Sequence, residues 1–298
     1  MKRLMWVGIL AVASVAWAQA PATASPAMWK VKGVHGTVYL FGSVHVMKPD
    51  VQWETAKVKD ALKSSDVLYL EVAEVSPEDM QKLQPTIMEM GMDLQKPLSA
   101  KISKEDVAAL DAAVKDSGLP GLTSEQAMEP MQPWLVYTIM SLLPAVKAGY
   151  KTDSGIDQKL MAESKGENKP VKGFESAEEQ MHFLADMPQP EQVELLHQTL
   201  ADLPKGEAEI NEMVTDWIKG DVDGIAKIEN GEMKTKSPAL YAKLLVERNK
   251  HFTDVLAGLL KDPATGTVFV TIGAAHLAGP DSVQKMLEAR GYTSVRVE

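Results

Sequence analysis

One short unit occurs twice in this 298-residue chain, once near each end. Residues 37–50 read TVYLFGSVHVMKPD and residues 267–281 read TVFVTIGAAHLAGPD. Each unit is a strand-like apolar run followed by Gly-x-x-His, three residues and Pro-Asp. A single Gly-x-x-His carries no weight in a chain with 20 glycines and 6 histidines. Two copies with the same feeding strand and the same Pro-Asp offset point to pseudo-equivalent units, with His45 and His276 at matching places. A chain built this way must bring its two ends together.

The remaining pattern is consistent with that demand. Thr37 to Phe41, Asp66 to Val72, Pro170 to Phe174 and Thr267 to Thr271 are short, largely apolar runs of the kind that form strands buried on both faces. A first strand near Met28 and a last one over Tyr292 to Val297 complete the sheet material. Helices are expected over Gln52 to Ser64, most of 76–204, Glu207 to Gly220, Pro238 to Leu260 and Asp281 to Arg290. The expected fold is α/β: a pseudo-symmetric central sheet built from both ends of the chain, with a helical insert at about 76–260. Ser76, Ser103, Ser154 and Ser176 each precede an acid by three residues, as capping boxes do. That reading assigns Asp157 to helix capping. Met80, Met88, Met90 and Met92 fall at helical spacing and read as adaptable packing rather than as a metal or heme feature.

The first residues carry an address. Lys2 and Arg3 precede the apolar run Leu4 to Trp17, and small residues follow at Ala16, Ala18 and Ala20. This is the pattern of a secretory signal peptide over 1–18, with a linker at 19–27 and the folded region at 28–298. Export to the periplasm is the expected destination. The chain has no cysteine, so a lipid anchor on cysteine is excluded and any metal must use His, carboxylate or water ligands. The net charge of −10 becomes more negative once Lys2 and Arg3 are removed, which argues against nucleic acid and anionic membrane surfaces as partners. No later segment is apolar and long enough to cross a membrane. Oligomeric state is not legible.

Gly42 and Gly273 end their strands and are expected to supply a sharp turn or a positive φ. The histidines then sit just past the strands, where open α/β sheets bind ligands, so His45 and His276 are expected to face one crevice. Glu71 ends the strand 66–72 on the face of Val67 and Tyr69, where an unpaired carboxylate is costly. Two histidines and a carboxylate make a credible divalent-metal set: His45, Glu71 and His276. Arg248 falls in the middle of an apolar helical stripe formed by Tyr241, Leu244, Leu245, Phe252, Val255, Leu256 and Leu259. It must pair with an acid or reach a polar crevice, as a structural ion pair or as a clamp for a substrate carboxylate or oxyanion. Glu175 also follows a short strand and stays open as a contact group. His35, His182, His197 and His251 show no partner pattern. H-E-x-x-H, G-x-S-x-G, P-loop and G-x-G-x-x-G motifs are all missing.

Together these segments resemble the TraB/GumN family, which includes the Tiki proteases that inactivate Wnt and is related more distantly to ChaN-like and erythromycin-esterase-like proteins. The resemblance rests on Gly42-Ser-Val-His45, Val67-Leu-Tyr-Leu-Glu71, Gly155-Ile-Asp157, Gly173-Phe-Glu175 with Glu179-Gln180, Glu247-Arg-Asn249, Val270 to Gly279 and Leu287 to Tyr292. It implies an α/β fold of two pseudo-equivalent halves. For Tiki-like members it implies metal-dependent proteolysis with manganese or cobalt, zinc being a further candidate ion. Carried over, His45, His276 and Glu71 bind the metal and act in catalysis with Arg248, and Arg248 and Asn249 match an Arg-Asn pair placed with Glu175 at the substrate. The expected function is a secreted metal-dependent hydrolase acting on a peptide or other small substrate. Two alternatives remain: a non-catalytic heme- or metal-binding protein of the ChaN-like kind, and a metal-free hydrolase with histidine as general base.

Overall fold

The computed structural model describes residues 24–73, 76–117 and 124–298. The expected signal peptide and the start of the linker lie outside the described residues. The end of the linker is docked, with the Ser25 N–H donating to the Ile218 carbonyl at 2.8 Å.

Six strands form one sheet: β1 (Met28–Lys32), β2 (Thr37–Ser43), β3 (Val67–Val72), β4 (Val171–Glu175), β5 (Thr267–Gly273) and β6 (Thr293–Arg296), in the spatial order β4-β3-β5-β2-β1-β6. The four strands β4, β3, β5 and β2 are parallel neighbours, and β1 and β6 continue the sheet antiparallel. Strand β5 from the end of the chain inserts between β2 and β3 from its start. The two repeated units therefore lie side by side, paired in register from Thr37 opposite Thr267 to Ser43 opposite Gly273. Their carboxyl ends share one edge of the sheet.

Both faces of the sheet are covered, which is why these strands read as continuous apolar runs. On one face Phe41, Leu68, Leu70 and Phe269 pack with Trp53, Leu62 and Trp217. On the other, Val38, Leu40, Val268, Val270 and Ile272 pack with Phe252, Leu256, Leu260 and Leu287. The helices are α1 (Ala56–Lys63), α2 (Pro77–Gly91), α3 (Lys104–Lys115), α4 (Pro133–Lys147), α5 (Ile156–Gly166), α6 (Ala177–Ala185), α7 (Gln189–Lys219), α8 (Val222–Ile225), α9 (Glu232–Lys236), α10 (Pro238–Tyr241), α11 (Arg248–Lys261) and α12 (Val283–Ala289). A separate apolar cluster holds α3, α4 and α7 together, including Leu110, Val136, Met140 and Leu196.

Several local expectations change. Helix α1 starts only at Ala56, because Thr55 takes the N-cap and accepts from the Val58 N–H. Helix α7 runs through Pro204 as one 31-residue helix, where a break was expected between 204 and 207. Packing along its length outweighs the hydrogen bond that Pro204 removes. The expected helix 238–260 contains a π turn at Ala242–Glu247, and a second π turn lies at Ala226–Gly231. The boxes at Ser76 and Ser176 form, and Ser103 caps α3. Ser154 caps nothing: Gly155 holds the N-cap of α5 with no side-chain cap, so Asp157 is free for another task.

Candidate functional site

Four neighbouring parallel strands each deliver one side chain to the same edge. β2 leads to His45, β3 ends in Glu71 and Val72, β4 ends in Glu175, and β5 leads to His276 in the 3-10 turn Ala274–Leu277. The Nε2 atoms of His45 and His276 lie 4.0 and 3.8 Å from the same oxygen, Glu71 Oε1. The crevice beside His45, Glu71, Asp157 and Gln180 has a volume of about 280 Å³.

The two glycines work by leaving room. Neither Gly42 nor Gly273 has a positive φ; Gly273 meets the other expectation, a sharp turn, by opening the 3-10 turn Ala274–Leu277, and Gly279, at the end of the second unit, has φ 78°. A Cβ on Gly273 would sit 3.1 Å from Glu71 Oε1, 3.4 Å from His45 Nε2 and 3.6 Å from His276 Cδ2. Gly273 thus marks the space that both histidines and the carboxylate face. Its N–H donates to Glu71 Oε1 at 2.5 Å.

Each histidine is held from behind. His45 Nδ1 lies 2.7 Å from Asp157 Oδ2, which turns Nε2 into the crevice. Helix α5 brings Asp157 there: the Ile156 N–H donates to the Val44 carbonyl at 3.0 Å, and a Cβ on Gly155 would overlap the His45 carbonyl oxygen. Only glycine lets this helix start press so close to the His45 loop. His276 Nδ1 lies 2.5 Å from Asn249 Oδ1, and Asn249 Nδ2 donates to the Asp281 carbonyl at 2.7 Å. With the amide so oriented, His276 must donate from Nδ1, leaving a lone pair on Nε2. Asn249 is wholly buried. It therefore positions His276, where the Arg-Asn resemblance implied a place at the substrate. The two π turns frame this loop: Asn249 follows one, and Asn230 in the other donates to the carbonyls of Ala275 and Ala278, each at 3.1 Å. π turns often mark functional positions.

Arg248 resolves the question its stripe position raised. Its Nε donates to Glu175 Oε1 at 2.9 Å, and its Nη2 to Glu71 Oε2 at 2.5 Å and Glu175 Oε2 at 2.8 Å. Its Nη1 donates to the Leu244 carbonyl at 3.3 Å and to His276 Nε2 at 3.1 Å. All its N–H groups are thus engaged inside the protein, with the guanidinium packed near the rings of Phe183 and Phe252. Arg248 organises the carboxylates and offers no free donor to a substrate clamp. Glu175, 8% exposed, is spent on holding Arg248. Gln180, which the sequence flagged only within the family pattern, donates to both carboxylates, at 3.3 Å to Glu71 and 3.1 Å to Glu175.

These contacts set the charges. Burial lowers the pKa of His276 to about 4, and the nearby Arg248 and His45 charges add to this against the pull of Glu71. It is neutral near pH 7. Burial opposes the charge of Glu71, but His276, Arg248, His45 and the Gly273 N–H together hold its carboxyl well below the usual range. For His45 the surrounding protein also opposes charge. The Asp157 charge and hydrogen bond, with help from Glu71, outweigh this and raise it to about 9. Its side chain remains 64% accessible, because the crevice is concave but open.

The donor set suits a divalent ion: two imidazole Nε2 atoms and a carboxylate oxygen converge, and each imidazole has an outer partner on Nδ1. Arg248 competes for it. With Nη1 on His276 Nε2, no group of three His, Asp or Glu side chains among the described residues is arranged to hold a metal. An ion bound by His45, His276 and Glu71 must take that lone pair from Arg248.

The sequence profile of the TraB/PrgY/gumN family matches residues 27–296. The chain belongs to that family. YbaP of Escherichia coli (strain K12) is 27% identical over 253 residues, covering 84% of this chain and 87% of YbaP. YbaP of Shigella flexneri matches to the same extent. A protein of Treponema pallidum (strain Nichols) is 23% identical over 280 residues, covering 88% and 80%. No solved structure matches the chain. The matched region takes in all four strand ends that build the crevice.

Proposed function

We propose that this family member is an exported hydrolase that cleaves an amide or related acyl bond in the crevice between His45, Glu71 and His276, with a divalent ion of the manganese, cobalt or zinc kind. The observation that carries this is the convergence of both Nε2 atoms on Glu71 Oε1, each imidazole fixed at Nδ1. Charge supports the ion. Glu71, Glu175 and Asp157 bring three carboxylates against Arg248 and a charged His45, and a divalent ion that replaced the His45 proton would balance the remaining deficit. His45, His276 and Glu71 would hold it, and when bound it would polarise the scissile carbonyl and activate water. Asp157 aims His45, Asn249 fixes the tautomer of His276, and Arg248 with Gln180 keeps Glu71 in place. The 280 Å³ crevice suits a scissile bond and its flanking atoms better than a porphyrin, so the heme reading is less favoured. Export rests on the basic and apolar start of the chain. Among the described residues no helix is long and apolar enough to cross a membrane.

One observation favours the metal-free alternative: Arg248 already occupies the lone pair of His276. In that reading His45, charged near pH 7 and aimed by Asp157, donates its Nε2 proton to the leaving group. The test is metal analysis of protein purified without chelator, together with hydrolysis of a broad peptide library before and after chelation. Loss of turnover on chelation and its return with manganese, cobalt or zinc is the expected result. Turnover indifferent to chelator supports the metal-free route, and a library left uncut under all conditions defeats the hydrolase reading.

A further inference from the structure

Arg248 and Glu175, which brace the crevice, also line a neighbouring cavity of about 440 Å³ between α6 and the π turn that leads into α11. Helix α6 serves both spaces: Gln180 lines the crevice, while Glu179, His182 and Phe183 line the cavity. The guanidinium therefore stands at the boundary between them.

On the crevice side one lone pair has two claimants. His276 Nδ1 is turned to Asn249, so Nε2 has a single lone pair, and Arg248 Nη1 holds it at 3.1 Å. An ion on His276 and this N–H exclude each other. On the cavity side the guanidinium has room and a partner that goes with it. Its Nε donates to Glu175 Oε1 at 2.9 Å, and Glu175 is itself part of the cavity wall. The ring of Phe183, 5.6 Å from the guanidinium carbon, lines the same space and offers a cation its face. Beyond the Arg248–Glu175 pair, three carboxylates, Glu179, Asp186 and Glu247, stand in these walls against one lysine, Lys243. Glu179 is tied to the cap of α6 and Asp186 to His182, while Glu247 is exposed. The field of the cavity thus favours a cation.

We propose that Arg248 is a latch on the crevice: inward it occupies the lone pair of His276, and it withdraws toward the cavity with Glu175 when a divalent ion takes its place. The inference rests on the divalent-ion reading of the crevice and adds what controls loading. It gives Arg248 a positioning role through His276 and Glu71, with no contact to substrate required. An ion then binds only the fraction of protein whose latch is open, so its apparent affinity falls by that fraction.

The test titrates cobalt(II) into chelator-stripped protein, with visible absorption to report imidazole around the ion and calorimetry to give affinity. Arg248→Lys keeps a cation for Glu71 and Glu175 but has no planar fork to reach His276 as well. It is expected to bind cobalt(II) at least about tenfold more tightly than the unaltered protein. Glu247→Lys, at an exposed position, removes the negative bias of the cavity. It should weaken binding about threefold or more, and this loss should vanish in the double variant, where nothing has to withdraw. If Arg248 only braced Glu71, Arg248→Lys would loosen the site, so equal or weaker binding by the folded variant overturns the latch. A loss at Glu247→Lys that persists unchanged in the double variant is a general field effect and overturns the cavity as the place of withdrawal. If Arg248→Lys does not fold, binding by Glu247→Lys as tight as by the unaltered protein overturns the latch. Cobalt(II) bound by none of the proteins removes the divalent-ion reading and the latch with it, whereas equal binding by all of them keeps that reading and removes the latch alone.

Discussion

Replacing Gly273 by alanine puts a methyl group into the centre of the crevice while leaving the backbone able to accept it. Gly273 has φ −48° and ψ 136°, a conformation open to any L-residue. Without backbone strain, Gly→Ala gains about 0.4–1 kcal/mol through the unfolded chain. Against this, the methyl meets Glu71 Oε1 at 3.1 Å, tighter than ordinary van der Waals contact, and His45 Nε2 at 3.4 Å. Overpacking of this kind costs about 1–3 kcal/mol in a closed core. Here one neighbour is the accessible ring of His45, so the lower part of that range applies. The net change in stability is then within about 2 kcal/mol, a few degrees in Tm for a chain of this size. The effect on the site is larger, since the methyl fills the space that a shared ion or water needs beside both Nε2 atoms. Loss of a group stabilising the transition state typically costs a hundredfold or more in rate, and that is the expected fall in turnover, with a parallel fall in divalent-ion affinity. Gly42→Ala is the control. Its methyl would meet Ala274 Cα at 3.1 Å and Ala274 Cβ at 3.2 Å inside the fold, so it should lower Tm more than Gly273→Ala does. Thermal unfolding, calorimetric ion titration and library hydrolysis read out both variants. Folded Gly273→Ala protein with unchanged ion affinity and turnover would falsify the placement of the chemistry between these three side chains.

Other perturbations separate the roles. Asp157→Asn removes the charge that aims His45 and should lower ion affinity or turnover about ten- to hundredfold with little change in Tm; equal activity would return Asp157 to a purely local role. Arg248→Met leaves Glu71 and Glu175 buried without a counter-charge and should cost about 3–5 kcal/mol, most of it recovered when both acids are also changed to glutamine. Unfolding titrations that show a stable single variant, or no recovery in the triple variant, would refute the ion-pair account. Far from the crevice, His197 Nδ1 lies 2.7 Å from Asp106 Oδ1, a hydrogen bond and ion pair that raise the pKa of His197 and help to lower that of Asp106. The raised His197 contributes stability fully below its unfolded pKa and loses it as pH rises through the folded value. Asp106 contributes above its unfolded pKa and loses this as pH falls through its own folded value. His197→Ala should therefore cost more at pH 5.5 than at pH 9, by a small amount because His197 is exposed. Denaturant melts at the two pH values giving equal losses would contradict the pairing.

The local patterns held where neighbours in sequence decide the outcome. Buried runs became strands, three of the four serine-led patterns capped helices, and the twin Gly-x-x-His units marked the strand ends that carry His45 and His276. Glu71 was legible for the same reason, as a charge at the end of an apolar run, and Arg248 as a charge on an apolar stripe. Asp157 was not, because its partner lies 112 residues away and its spacing from Ser154 imitates a cap. Asn249 and Glu175 came into view as polar residues near the site, yet only packing shows that both face inward, one onto His276 and the other onto Arg248. Nor could the sequence place Arg248 on the lone pair of His276. Hydrophobic period and turn chemistry act within a few residues and so are written locally in the chain. Which carboxylate meets which cation depends on strand order and on how closely α5, α6 and α11 approach the sheet edge, and those distances exist only once the two ends of the chain have met.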